Sequence, residues 1–193
     1  NVFLSRDEML AKINSFCKID SENKSIVVKP NNEGSSVGIS IFKGITTDYE
    51  YSEALDNAFK VSDKILVEEY IGGRELTVSI LDGKVMPIVE IIPKNEYYDY
   101  KSKYTKYQSE YVVPAKISKE VEDLLSTYSL KIHKLIGCGA YSRVDFRLSE
   151  NNKPYFLELN TLPGFTDTSL FPKSAAKEGL EYKDLIKKII EIS

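Results

Sequence analysis

The chain has 193 residues, 42% of them hydrophobic and 28% charged, an ordinary globular composition with enough length to bury a core without staples. Its net charge of −3 supplies no basic field for nucleic acid or an anionic membrane, and no run approaches the ~20 apolar residues of a membrane span. The two cysteines, Cys17 and Cys138, are far apart, which argues against a disulfide framework or a CxxC zinc site and for reduced thiols in the cytoplasm.

The chain opens on Asn1 without Met or a signal-peptide pattern, as expected of a fragment or a processed chain. Ser5 and Glu8 fit a capping box, and Met9, Leu10, Ile13, Phe16 and Cys17 keep helical spacing behind it. "SIVVKP" (25–30) and "VGISIF" (37–42) read as two strands of a hairpin with "NNEGSSVG" (31–38) at its tip. Residues 48–60 suit a helix starting at Thr47 or Asp48. Three β-rich runs follow at 64–71, 74–81 and 84–92, and the Gly72-Gly73 and Asp82-Gly83 dipeptides between them predict a three-stranded meander. Residues 94–113 show no clean period, which for so long a connection points to a lid or a disordered segment. Residues 119–136 carry a helical stripe of Val121, Leu124, Leu125, Tyr128, Ile132, Leu135 and Ile136, with Ser118 as cap. Two strands surround "SENN" at 139–148 and 153–160, and a closing helix carries Tyr182, Leu185, Ile186, Ile189 and Ile190.

A turn centred on Asn151-Asn152 sets Asp145 opposite Glu158 and Arg143 opposite Asn160, provided no bulge intervenes. Opposed residues, and residues two apart, share a face, so one face displays all four side chains. Opposed carboxylates repel unless a cation sits between them, and Mg²⁺ binds through one or two carboxylates plus substrate phosphates. Arg143 would then suit a transferring phosphoryl group. The same face also reads as a solvated surface on which Arg143 and Arg147 neutralise the acids. The 31–38 loop has small residues whose amides could converge on an anion, with Lys29 just before it, but its order matches neither the P-loop nor GxGxxG, and alone it reads more readily as a surface turn.

Taken in order, "VVKPNNEGSSVGIS", "LVEEYIGGRELTVSIL", "YSRVDFRL" and "YFLELNTLPGFTDTSL" resemble the ATP-grasp superfamily, and within it the D-alanine–D-alanine ligases, over essentially the whole chain. The resemblance implies an α+β, ATP-grasp fold of two subdomains with antiparallel sheets, residues 1–71 carrying the phosphate loop 31–38 and residues 72–193 carrying a lid at 94–113. It implies ATP contacts by Lys29, the amides of Ser35, Ser36 and Val37, the adenine edge at Glu68, Glu69, Tyr70 and Ile71, ribose contact by Glu75, and Lys103 reaching the γ-phosphate. By the same resemblance Asp145, Glu158 and Asn160 hold two Mg²⁺ ions, with Mn²⁺ as an alternative. Arg143 and the Gly164 amide face the oxyanion, Ser169 and the Leu170 amide hold the second substrate's carboxylate, and Tyr104 joins a hydrogen-bonded triad with Ser35.

The activity so implied is joining of two D-alanines through an acyl phosphate for peptidoglycan synthesis, with D-serine or another amine as the alternative second substrate, or a nucleotide-binding fragment inactive alone. A water-excluding lid fits such an intermediate. Complete relatives carry an N-terminal domain, a further nucleotide-binding lysine and the triad's third member upstream of the stretch that matches this chain. The resemblance further implies a cytoplasmic homodimer at full length, without nucleic-acid or membrane partners. The Lys/Tyr-rich 94–113 segment also reads as a stacking surface for single-stranded nucleic acid, which the net acidity and the adjacent motifs oppose. His133 is expected at a helix surface or boundary, Cys138 as a buried structural thiol, and Glu69 as pointing away from Glu68.

Overall fold

The computed structural model describes residues 25–34, 36–43, 47–93 and 109–193, together with Glu8. The expected helix after Ser5, and Ser35, Lys103 and Tyr104, lie outside the described residues. The described chain forms two compact units that divide between Ile71 and Gly72.

In the first unit, β1 (Ile26–Pro30) pairs antiparallel with β2 (Ser40–Phe42) and β3 (Ile65–Glu69), with β1 central. Helix α1 (Asp48–Phe59) begins at a full capping box, in which Thr47 and Glu50 satisfy each other's backbone N–H groups. Its Tyr51, Ala54, Leu55 and Ala58 pack on Ile26, Val28 and Ile65, the buried half of an alternating strand pair. The β1–β2 hairpin is the expected one, but β2 is shorter than its apolar run because Ser36 (φ 60°) and Gly38 (φ 72°) hold the preceding residues in a turn. A Cβ at Gly38 would stand 2.9 Å from Pro30 Cγ, so glycine is required there.

In the second unit a six-stranded sheet runs β7 (Ser109–Val112), β6 (Val89–Pro93), β4 (Arg74–Leu81), β8 (Tyr141–Leu148), β9 (Pro154–Asn160), with short β5 (Lys84–Val85) on β4. Asp82 and Gly83 both have φ > 0 between the paired Leu81 and Lys84, a mirror-image two-residue turn of the kind Asp-Gly favours. Helix α2 (Lys119–Ile136), capped by Ser118 and closed by left-handed Gly137, covers the sheet face built by Leu76, Val78, Ile80, Val144, Phe146 and Leu148. Helices α3 (Leu170–Lys177) and α4 (Tyr182–Ile192) pack Phe171, Ala175 and Leu185 around Leu81 and Tyr141, on the opposite face at one end. Among the described residues no helix is long and apolar enough to cross a membrane.

The expected meander is wrong at its first turn. β3 pairs with β1 and β4 pairs with β8, so Gly72-Gly73 joins two sheets instead of closing a hairpin. Gly73 (φ 106°) is required for another reason: a Cβ there would stand 2.2 Å from the Leu148 carbonyl oxygen. The end of the expected lid, residues 109–112, is strand β7 on β6. The α2 stripe is rotated from the expected one. Val121, Leu125, Ser129 and His133 are buried, whereas Leu135 and Ile136 are exposed, because the small Ser129 lets this line of the helix lie close to the sheet. His133 is therefore a core residue, and Cys138 is only half-buried. Helix α3 had no counterpart in the sequence reading; its Pro172 sits in the first turn, where a missing N–H costs nothing.

Candidate functional site

In the second unit the odd-numbered residues of β4 and β8 share the face turned away from α2. Strand pairing sets Glu75 opposite Arg147, Thr77 opposite Asp145 and Ser79 opposite Arg143 on the β4 side. On the other side Arg143 faces Asn160 and Asp145 faces Glu158. That is the expected register, reached by an unexpected route. Leu148 pairs with Pro154, which centres the turn on Asn151 and slips the pairing by one residue from the Asn151-Asn152 reading, and a bulge at Leu157 restores the count. Without the bulge Leu157 would oppose Asp145, and Glu158 would point to the α2 side.

Five side chains interlock on this face. Arg143 donates two parallel hydrogen bonds to Asp145, Nε to Oδ1 at 2.9 Å and Nη2 to Oδ2 at 2.7 Å. Thr77 Oγ1 donates to Asp145 Oδ1 at 2.5 Å. Asn160 Nδ2 donates to Asp145 Oδ2 at 3.2 Å and to Glu158 Oε1 at 3.0 Å. Burial works against the Arg143 charge, but the bonds to Asp145 and the fields of Asp145, Glu158 and Glu75 outweigh it and raise its pKa. Arg147 Nη1 donates to Glu75 Oε2 at 3.3 Å. Burial pushes the Glu75 carboxyl up, with the Arg147 charge opposing and Asp145 reinforcing that shift. Both arginines thus pair an acid, as the salt-bridge reading expects. Among the described residues Glu158 has no ion-pair partner and accepts only from Asn160.

The donor set suits a hard divalent cation. Two carboxylates and one amide converge, and Asn160 Nδ2 already sits within hydrogen-bond reach of both acids, where turning the amide over would present its oxygen beside theirs. Among the described residues no three His, Cys, Asp or Glu side chains gather; Asn160 is the further oxygen-bearing side chain beside the two acids.

The remaining expected residues form separate groups. A Cβ on Gly164 would stand 3.0 Å from Ser169 Oγ. That hydroxyl accepts from Thr166 N at 3.1 Å and makes no cap bond to α3, whose first residue is Leu170. In the first unit, Lys29 and Glu68 share the face opposite α1, with Nζ 2.5 Å from Oε2. Glu69 points the other way, opposite Ile26. Tyr70 donates its N–H to Ser25 O at 2.9 Å, and its ring lies 5.3 Å from Lys43 Nζ. Ile71 follows, half-buried. The 31–38 loop is anchored by Asn31 N to Lys64 O at 2.8 Å and by Ser62 to Asn32; Ser36 and Val37 are partly or fully exposed on it. The sequence reading missed Thr77, because nothing local says that β4 lies beside β8.

The model of the D-ala D-ala ligase C-terminus family matches residues 2–191. The D-alanine–D-alanine ligase of Halalkalibacterium halodurans is 42% identical over 173 residues, 87% of this chain and 56% of its own length. The crystal structure of the D-alanine–D-alanine ligase from Bacillus anthracis complexed with ATP is 34% identical, with a TM-score of 0.72 over 98% of this chain and 56% of that one. The VanG D-Ala:D-Ser ligase from Enterococcus faecalis is 29% identical, with a TM-score of 0.82 over 99% of this chain and 55% of that one. The chain spans about half the length of the curated relatives it matches.

Proposed function

The chain belongs to the D-alanine–D-alanine ligase family, and from that premise we propose that it carries the nucleotide and cation site of an ATP-dependent ligase that joins two D-alanines. The observation that carries the reading is the convergence of Asp145, Glu158 and Asn160 beside Arg143 on one sheet face. Magnesium bound there would neutralise phosphate charge in the transfer. Two ions are proposed, with Asp145, Glu158 and Asn160 as their protein ligands.

The chain's own residues divide the remaining work. Lys29 and the amides of Ser35, Ser36 and Val37 hold phosphates; Glu68 and the Glu69–Ile71 backbone hold the adenine edge, and Glu75 the ribose. Lys103 and Tyr104, in the proposed lid, close on the γ-phosphate and on Ser35. The first D-alanine's carboxylate oxygen attacks the γ-phosphorus, and the bond to ADP breaks. The second D-alanine's amine then attacks the acyl carbon, and phosphate leaves. Arg143, freed from Asp145, and the Gly164 amide stabilise the oxyanion of that second step. Ser169 and the Leu170 amide, at the start of α3, hold the attacking amino acid's carboxylate. Charge placement and orientation do most of the work in phosphoryl transfer, which suits a site built from carboxylates, an amide and arginine.

This reading puts the protein in the cytoplasm as one half of a dimeric ligase whose N-terminal domain binds the first amino acid. The likeness to VanG D-Ala:D-Ser ligase supports D-serine as the second reading for the amine substrate. Calorimetry with ATP and Mg²⁺, followed by phosphate release on adding D-alanine or D-serine, tests all of this. Metal-dependent binding that Glu158→Gln removes is the expected result. Equal affinity with and without metal, or an unchanged Glu158→Gln, overturns the cation assignment; the amino acid that releases phosphate decides between the substrates.

A further inference from the structure

Asp145 is fully subscribed. A carboxylate offers roughly four lone-pair directions. Here Oδ1 accepts from Thr77 Oγ1 and Arg143 Nε, and Oδ2 accepts from Arg143 Nη2 and Asn160 Nδ2. Any cation bound at Asp145 therefore takes the place of one of these donors. Two of the three side chains have somewhere else to go. Arg143 stands in the field of Glu158 and Glu75 as well as Asp145, and the Asn160 amide can turn its oxygen toward the same point.

Thr77 has no such freedom. It is fully buried, and it sits on β4 with β6 hydrogen-bonded on one side and β8 on the other. A β-branched side chain on a central strand has few χ1 choices. Its hydroxyl points across the strand pair to the residue directly opposite, Asp145. It is the one donor that keeps the carboxylate's plane when the other two move.

Resting on the cation reading above, we propose that Thr77 is a positioning residue for the metal site, holding Asp145 Oδ1 so that Oδ2 meets the cation. It touches neither metal nor substrate. Partners of this kind behind a ligating group are worth roughly 10–100-fold in metal affinity.

The test is direct Mn²⁺ binding to the full chain in the presence of a non-hydrolysable ATP analogue, read by electron paramagnetic resonance. Thr77→Val keeps the shape and removes the hydroxyl; Thr77→Ser keeps the hydroxyl and removes the methyl; Thr77→Ala removes both. The expected result is about tenfold or greater loss of Mn²⁺ affinity in the Val and Ala variants, with Ser within about threefold of the parent. Mn²⁺ affinity unchanged in Thr77→Val overturns the proposal, as does a Ser variant as weak as Ala, since packing alone would then explain the loss. If Thr77→Val does not fold, the Ser and Ala pair still decides, because both lack the methyl. Absence of Mn²⁺ binding in the parent chain is a separate outcome that overturns the cation reading itself and this proposal with it.

Discussion

On β4 and β8 the even-numbered residues Leu76, Val78, Ile80, Val144, Phe146 and Leu148 lie buried beneath α2, while their odd-numbered neighbours Glu75, Arg143, Asp145 and Arg147 carry a lattice of charges on the other side. Polar groups occur on both faces, but under different rules. Beneath α2 the charged and titratable groups are closed off: Glu90 is gripped by Arg74 through two bonds of 2.6 Å, and His133 Nδ1 meets Ser142 Oγ at 2.8 Å, while the small Ser129 hydroxyl is buried without a partner among the described residues. On the open face the acids outnumber what the arginines fix, and Glu158 is left with an amide as its only donor among the described residues. A charge left without a counter-charge at a sheet edge is affordable only near water, and it is where a cation can enter. One set of strands thus separates what holds the fold from the proposed cation site.

That separation predicts unequal costs. The largest belongs to Phe146→Ala, which empties a fully buried ring site beneath α2. It should cost about 3–5 kcal/mol in urea unfolding. A cost below about 1 kcal/mol would mean that α2 is not the anchor of this face.

Next comes Ser142→Ala. It removes the hydrogen-bond partner of His133 in the core, and an orphaned buried group costs about 1–3 kcal/mol. The same histidine gives a pH signature. Burial holds its pKa below the ordinary value, with the Gly139 backbone bond opposing and the Lys134 charge reinforcing the shift. The folded state therefore prefers the neutral ring. The stability this gives is complete above the unfolded pKa of about 6.5 and is lost as pH falls from there toward the folded value. Melting the parent and His133→Gln from pH 7.5 to 5 should show the parent losing ground relative to the variant as pH falls; parallel curves would remove His133 from the account.

The two faces also differ in how far the sequence discloses them. Local devices were legible: the Thr47 and Ser118 caps, the β1–β2 hairpin and the Asp82-Gly83 turn each rest on residues a few positions apart. The Asp145–Glu158 opposition was legible too, although two offsets, an earlier turn and a bulge at Leu157, had to cancel for the count to hold. Non-local choices were not. A Gly-Gly dipeptide looks the same whether it closes a hairpin or joins two sheets, so β3 was misassigned. The burial of His133 depends on Ser142 from another element, and Thr77 becomes visible only once β4 is known to lie against β8.

At the exposed edge of the charged face, on β9, a change should cost little stability. Glu158→Gln is expected to unfold within about 0.5 kcal/mol of the parent while losing metal-dependent nucleotide binding. A large destabilisation would make Glu158 a structural residue and weaken the contrast between the faces.

The smallest effect expected is a pH trend at Glu75. Burial raises its pKa, so its protonated form is the one the fold favours. The stability that protonation contributes is present below the unfolded carboxylate pKa of about 4.3 and is lost as pH rises through the folded value. Glu75→Gln is neutral at every pH and keeps the side chain's size, so it should gain on the parent as pH climbs out of the acid range and then hold a constant lead. The Arg147 bond works against that lead by favouring the ionised form, and the side chain remains partly exposed, which is why the trend is small. Melting both proteins at intervals from pH 4 to 7 measures it. A lead that shrinks with rising pH would mean that Arg147 outweighs burial, and that this end of the open face is held by its ion pair in the way Glu90 is held by Arg74 beneath α2.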